Sequence, residues 1–179
     1  MMNFYDNLLR RYKLKIKYEK DIIKIFFNKK LILIINIDKG VSNLDTIILT
    51  LLKIKPMFYG MMEDEIIYIN SELYKLLRLK FLKIKKSDDF TSIIIYDPKK
   101  CIFNTKELKN MFSNVKENHY NIGLALGFPK KAILDFCERK ENRIGLRYYG
   151  FTLSVSKENY QECLKELKER YNIPIILRI

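Results

Sequence analysis

Apolar positions along the chain follow two different periods. In YKLKIKY, residues 12–18, Tyr12, Leu14, Ile16 and Tyr18 alternate with Lys13, Lys15 and Lys17. Period two marks a strand with one buried face. The runs at 30–38, 65–70 and 90–97 also read as strands, the last closed by Asp97-Pro98. LKFLKIKK at 79–86 is basic and partly alternating, so it joins them. IGLRYYGFTLSV at 144–155 reads as one strand, with Gly150 as a bulge or close approach, and IPIILRI at 173–179 closes the chain as another.

Helical patterns occupy 4–12, 21–30, 44–55, 71–79, 104–115 and 156–172. Ser42 or Asn43 suits the start of the third, and Lys55 before Pro56 is where it should stop. Ser71 and Ser156 are cap candidates. In the last helix Tyr160, Cys163, Leu164, Leu167 and Tyr171 fall on one face. PMFYGMMED reads as a loop. Strand, helix and strand over 145–179 predict a parallel βαβ unit.

One stretch breaks the general pattern. IGLALGFPKKAILDFCER, residues 122–139, holds both alanines of the chain, Ala125 and Ala132, and two of its six glycines, Gly123 and Gly127. Gly127 stands where a first helix would end, in the left-handed conformation glycine adopts cheaply. Phe128 supplies the apolar contact of such a cap, and Pro129 opens the next helix. Small residues allow the backbones to approach, with Ala132, Ile133, Phe136 and Cys137 as the buried stripe of the second helix. Gly123, Gly127, Ile122, Leu126, Phe128, Ile133 and Phe136 also satisfy the packing pattern of a DNA-binding helix-turn-helix. Against that, Pro129 replaces a Ser or Thr phosphate contact. The face expected to be exposed mixes Lys130, Lys131 and Arg139 with Asp135, Glu138 and Glu141.

The net charge of +13 raises nucleic acid or another polyanion as partner. The excess is spread, +8 over residues 1–100 and +5 over 101–179, and the chain's wealth of Ile, Lys, Asn and Tyr has the archaeal-like look of AT-rich coding. Lys13, Lys15 and Lys17 with Arg78, Lys80, Lys83 and Lys85 would form a cationic face if their strands paired. Lysines on an edge strand also block edge-to-edge association. No run approaches the roughly 20 apolar residues of a spanning helix, the N-terminus has no signal-like apolar stretch, and three cysteines without a CxxC pair suit a reducing compartment. A cytoplasmic protein is expected.

HxxIGLALGFPxxAIxxF resembles the IGxxLGYP signature of uncharacterised domain families found in archaea and clostridia, with Phe128 in place of the usual tyrosine. In those families the signature helix precedes a glycine-containing aromatic stretch and a C-terminal helix, here RIGLRYYGFTLSV and 156–172. LLKIKPMFYG at 51–60 resembles their GxKPAxL segment. The resemblance implies no activity.

Candidate chemistry is sparse. His119, the one histidine, lies between Cys101 and Cys137 at a spacing that is no metal motif. A Cys–His nucleophile pair is conceivable, and Asp97 ends a strand as catalytic acids often do, though Asp-Pro also opens turns. MEDE at 62–65 reads as a solvated loop. No phosphate loop, HExxH or GxSxG is present, so no cofactor and no metal is expected. The expectation is a single α/β or α+β domain with a soft lobe boundary near 97–100, a mixed sheet flanked by helices, and a tight helical corner near 117–140. A non-enzymatic binding module with a basic surface comes first. Alternatives are an enzyme or small-molecule binder with a pocket near Asp97, His119 and the corner, and a protein–protein interaction module, including a homo-oligomer.

Overall fold

The computed structural model describes residues 14–19, 22–27, 30–36, 44–51, 53–62, 64, 67, 68, 71, 74, 75, 77–87, 90–148 and 151–171. The helix expected at 4–12, the caps Ser42 and Asn43, Gly150 and the strand expected at 173–179 lie outside these residues.

Strands β1 (Leu14–Glu19), β2 (Ile22–Phe27) and β3 (Lys30–Asn36) form an antiparallel sheet in that order. The stretch 21–30 was expected to be helical. Its core, IIKIFF, is instead β2, with Ile16 opposite Ile25 and Ile23 opposite Ile35. β-branched and aromatic residues suit a strand that has a pairing partner on each side.

Helix α1 (Leu44–Leu51) ends earlier than the proline rule suggests. Lys53 adopts φ 56°, and the N–H groups of Lys53 and Ile54 bond back to the carbonyls of Thr50 and Leu49, which is the Schellman arrangement. This frees PMFYGMM to extend. Read as a loop, it is in fact strand β4 (Met57–Met62). Strands β5 (Lys80–Lys86) and β6 (Thr91–Tyr96) complete a second sheet, ordered β4-β6-β5 with both pairings antiparallel. β4 and β5 therefore run parallel on either side of β6. Between them Ile67, Tyr68, Ser71, Tyr74 and Lys75 are helical, so the strand expected at 65–70 is helical at Ile67 and Tyr68.

Helices cover both faces of this sheet, which is why its strands carry apolar residues on both sides. Phe58, Ile93 and Ile95 pack with Ile47, Ile67 and Tyr74 on one face. Met57, Ile94 and Tyr96 pack on the other with Leu108, Met111 and Phe112 of α2 (Thr105–Ser113). Helix α2, expected over 104–115, opens on a capping box: Asn104 accepts from the N–H of Lys106 and Glu107, and Glu107 accepts from the Asn104 N–H.

A short 3₁₀ turn (Val115–Glu117) leads to α3 (His119–Ala125) and α4 (Lys130–Cys137). The single strand expected at 144–155 is a hairpin, β7 (Arg143–Tyr148) with β8 (Phe151–Ser156), followed by α5 (Tyr160–Arg170). Ser156 lies inside β8, and Asn159 holds the cap position of α5. The unit is thus ββα, not parallel βαβ. Its core gathers Leu146, Phe151, Leu153 and Val155 against Cys163, Leu167 and Tyr171. The whole is a mixed α/β fold in which every described strand pairing is antiparallel.

Candidate functional site

The corner between α3 and α4 is built as its glycines demand. Gly127 has φ 80°. Its N–H bonds to the Leu124 carbonyl and the Phe128 N–H to the Gly123 carbonyl, both at 3.0 Å, a complete Schellman cap. A Cβ on Gly127 would run into the Tyr171 hydroxyl, which donates a 2.8 Å hydrogen bond to the Gly127 carbonyl, and would press on Pro56. The helix crossing itself rests on Gly123, where a Cβ would stand 2.7 Å from Ile133 Cγ1. Ala125 and Ala132 are both buried but face different cores, Ala125 the central sheet and Ala132 the hairpin.

Because α3 and α4 diverge from this contact, they leave a groove. Ile122, Gly123, Leu126, Phe128, Ala132, Ile133 and Phe136 form its apolar walls, and Thr152, Leu153 and Ser154 of β8 its third side, around a volume of about 310 Å³. His119 sits at the opening, its ring edge-on to Phe136 with centroids 5.3 Å apart. Phe136 was expected in the buried stripe, yet it is 49% exposed, and Cys137 is exposed too.

In their place α4 buries Asp135, expected on the outer face and in fact 0% exposed. Its carboxylate accepts the Ser156 N–H and the Asn159 side-chain amide, each at 2.8 Å, and meets Lys140 at 3.4 Å. Burial works to raise its pKa, but these donors prevail and hold it below the usual carboxylate range. The signal was present in the sequence: Asp135 lies three residues after Ala132, on the same helical face.

A second buried charge lies behind the corner. Lys55 is 2% exposed, its Nζ 4.4 Å from the Phe151 ring centroid and 5.4 Å from that of Phe128. Desolvation lowers its pKa to about 7. Pro56 touches Gly127, so the LLKIKP and LGFP segments meet in space.

The remaining candidates are dispersed. Asp97 is buried but lines no part of the groove. Its carboxylate accepts the Lys99 N–H at 2.9 Å and so shapes the turn into Cys101. Lys13 lies outside the described residues. Lys15 and Lys17 are on β1 and Lys80 on β5, with Arg78 just before it, so the two lysine-rich strands belong to different sheets and do not pair. Lys83 and Lys86 bond to Asp64, at 3.5 and 2.8 Å, which makes part of the MEDE cluster a tether for β5. Lys131 pairs with Glu162, while Lys130 and Arg139 are exposed at opposite ends of α4. Cys101, Cys137 and Cys163 are all free thiols. Among the described residues no group of three His, Cys, Asp or Glu could hold a metal, and no helix is long and apolar enough to cross a membrane.

Fold and groove together define a small α/β protein with an apolar cleft beside a strand edge. Comparison with protein-family models, curated proteins and solved structures returns no match.

Proposed function

We propose that the protein is a non-enzymatic binding module whose site is the groove between α3, α4 and β8. The observation that carries this is the cleft itself: about 310 Å³ with apolar walls and a few polar groups, His119, Thr152 and Ser154, at its margins. That combination is the usual make-up of a ligand pocket. Phe136 keeps half its surface in water beside it, which favours an occupant that covers the ring. The test is binding of a hydrophobic fluorophore, anilinonaphthalene sulfonate, followed through the methyl signals of Ile133, Leu126 and Leu153. Saturable perturbation of those methyls, weakened by Phe136→Glu, supports the groove as the site. Dye binding that leaves them unmoved contradicts it.

A second reading places a polyanion along β5, where Lys80, Lys83, Lys85 and Lys86, with Arg78 just before the strand, are exposed, and where among the described residues Asp64 is the one carboxylate that pairs with them. Lys80→Glu with Lys85→Glu would then reduce retention on heparin far more than Lys130→Glu with Arg139→Glu. We place the protein in the cytoplasm, since three free cysteines fit a reducing compartment. We also infer kinship with the IGxxLGYP-type families, because the two segments that carry the resemblance pack on each other through Lys55, Pro56, Gly127 and Phe128.

A further inference from the structure

The groove's third side is a strand edge, and the alternation of an antiparallel ladder fixes what that edge offers. In such a pair, successive residues direct their N–H and C=O groups alternately toward the partner strand and away from it. The Ser156 N–H goes to Asp135 and not to β7. With the register unbroken from Arg143↔Ser156 to Tyr148↔Phe151, Ser154 and Thr152 direct their main-chain groups to the same outer side. Both residues line the groove. Among the described residues, none bonds to those main-chain groups.

Charge adds a second constraint. Arg147 lies opposite Thr152 and Arg143 opposite Ser156, exposed on the hairpin face that looks away from the core. Gly145 lies between them, opposite Ser154, with open space around the position of a Cβ. Neither arginine pairs with a carboxylate among the described residues.

Taking the groove as a binding site, we propose that its occupant is an extended, acidic-apolar peptide segment that adds to β8 as a further strand. Its main chain bonds to Thr152 and Ser154. Its side chains alternate in direction, so one set fills the cleft of Ile122, Leu126, Ile133 and Phe136 while the other, acidic, set meets Arg147 and Arg143. Strand addition of this kind draws affinity from the main chain and specificity from alternate side chains. A small apolar molecule would leave the edge unused. A second copy of this chain, with its own +13 charge, would bring like charges together.

The test titrates the full-length protein, labelled with ¹⁵N and methyl ¹³C, with a fluorescent peptide of alternating glutamate and valine. Controls are the lysine-valine counterpart and a main-chain N-methylated version. The proposal expects the amide signals of Thr152 and Ser154 to shift and their exchange to slow. N-methylation should weaken binding about fivefold for each bond lost, and Arg147→Glu about tenfold. Ser154→Pro removes an outward donor without touching a β7–β8 bond and should do likewise. Phe136→Ser, at a half-exposed position whose loss leaves the buried core intact, gives the same answer from the other wall. Equal binding of the lysine peptide overturns the proposal. So does a fluorophore that perturbs the Ile133 methyls while the peptide leaves both amides unmoved, although the groove then stands as a small-molecule site. If neither probe perturbs the groove, both the occupant and the site fall.

Discussion

Two stretches of one strand edge, a few ångströms apart, are finished in opposite ways. At Ser156 the outward N–H of β8 ends on a buried carboxylate, Asp135, which Asn159 and Lys140 also satisfy. At Ser154 and Thr152 the same edge faces an apolar cleft. Helix α4 supplies both boundaries: Asp135 on the closed side, Ile133 and Phe136 on the open one. Edges of sheets are commonly capped or covered because unpaired main chain invites association. A helix that closes one residue of the edge and stands back from the next two defines a site by contrast.

The contrast depends on the angle of α4, and that angle depends on Gly127. The largest effect should therefore come from Gly127→Ala, which combines a left-handed φ with a collision against Tyr171 and Pro56. A loss of about 4 kcal/mol in urea unfolding is expected, with loss of fluorophore binding. Asp135→Ala opens the closed end. It strands the Ser156 N–H in the interior and should cost about 3 kcal/mol. Since the folded pKa of Asp135 is lowered, its contribution is complete above the unfolded value and disappears as pH falls below the usual carboxylate range. The wild type should therefore lose stability on acidification through that range, and Asp135→Ala should flatten this part of the profile.

Lys55 gives a slope of the same sign at higher pH. Its folded pKa of about 7 lies below the 10.5 of a free lysine, so between those values the unfolded chain binds the extra proton. Stability should rise as pH increases from 7 toward 10, by on the order of 2–4 kcal/mol, and Lys55→Met should remove most of that slope. Calorimetric melting at pH 7 and pH 9.5 measures it. The smallest effect on stability belongs to Phe136→Ser. With the ring half exposed, the cost should stay near 0.5 kcal/mol while groove binding drops several-fold, separating the site from the scaffold.

The corner was the most legible part of the molecule, because a left-handed glycine, a following aromatic and a helix-opening proline have few other uses together. Helix α2 was legible as a helix over 104–115, while its capping box at Asn104 and Glu107 emerged only with the structure. Tertiary neighbours decided the rest. IIKIFF fits either period and became a strand because strands flank it. MFYGMM shows no alternation, since helices cover both sheet faces and both sets of side chains are apolar. IGLRYYGFTLSV folds into two strands where one was expected. The groove was half visible: His119 and the corner pointed to it, but the contribution of β8 could not be read before the hairpin was known. Asp135 and Lys55 were hidden by the assumption that charged residues face water, which fails where a donor set or an aromatic pair receives the charge.

Amide hydrogen exchange in the unliganded protein, resolved at Thr152, Ser154 and Ser156, addresses the asymmetry of this edge most directly. Ser156 should be protected by its bond to Asp135, with Thr152 and Ser154 exchanging much faster although all three belong to β8. Equal protection at the three positions would mean that the edge is already closed along its length, and the groove would have no strand to offer.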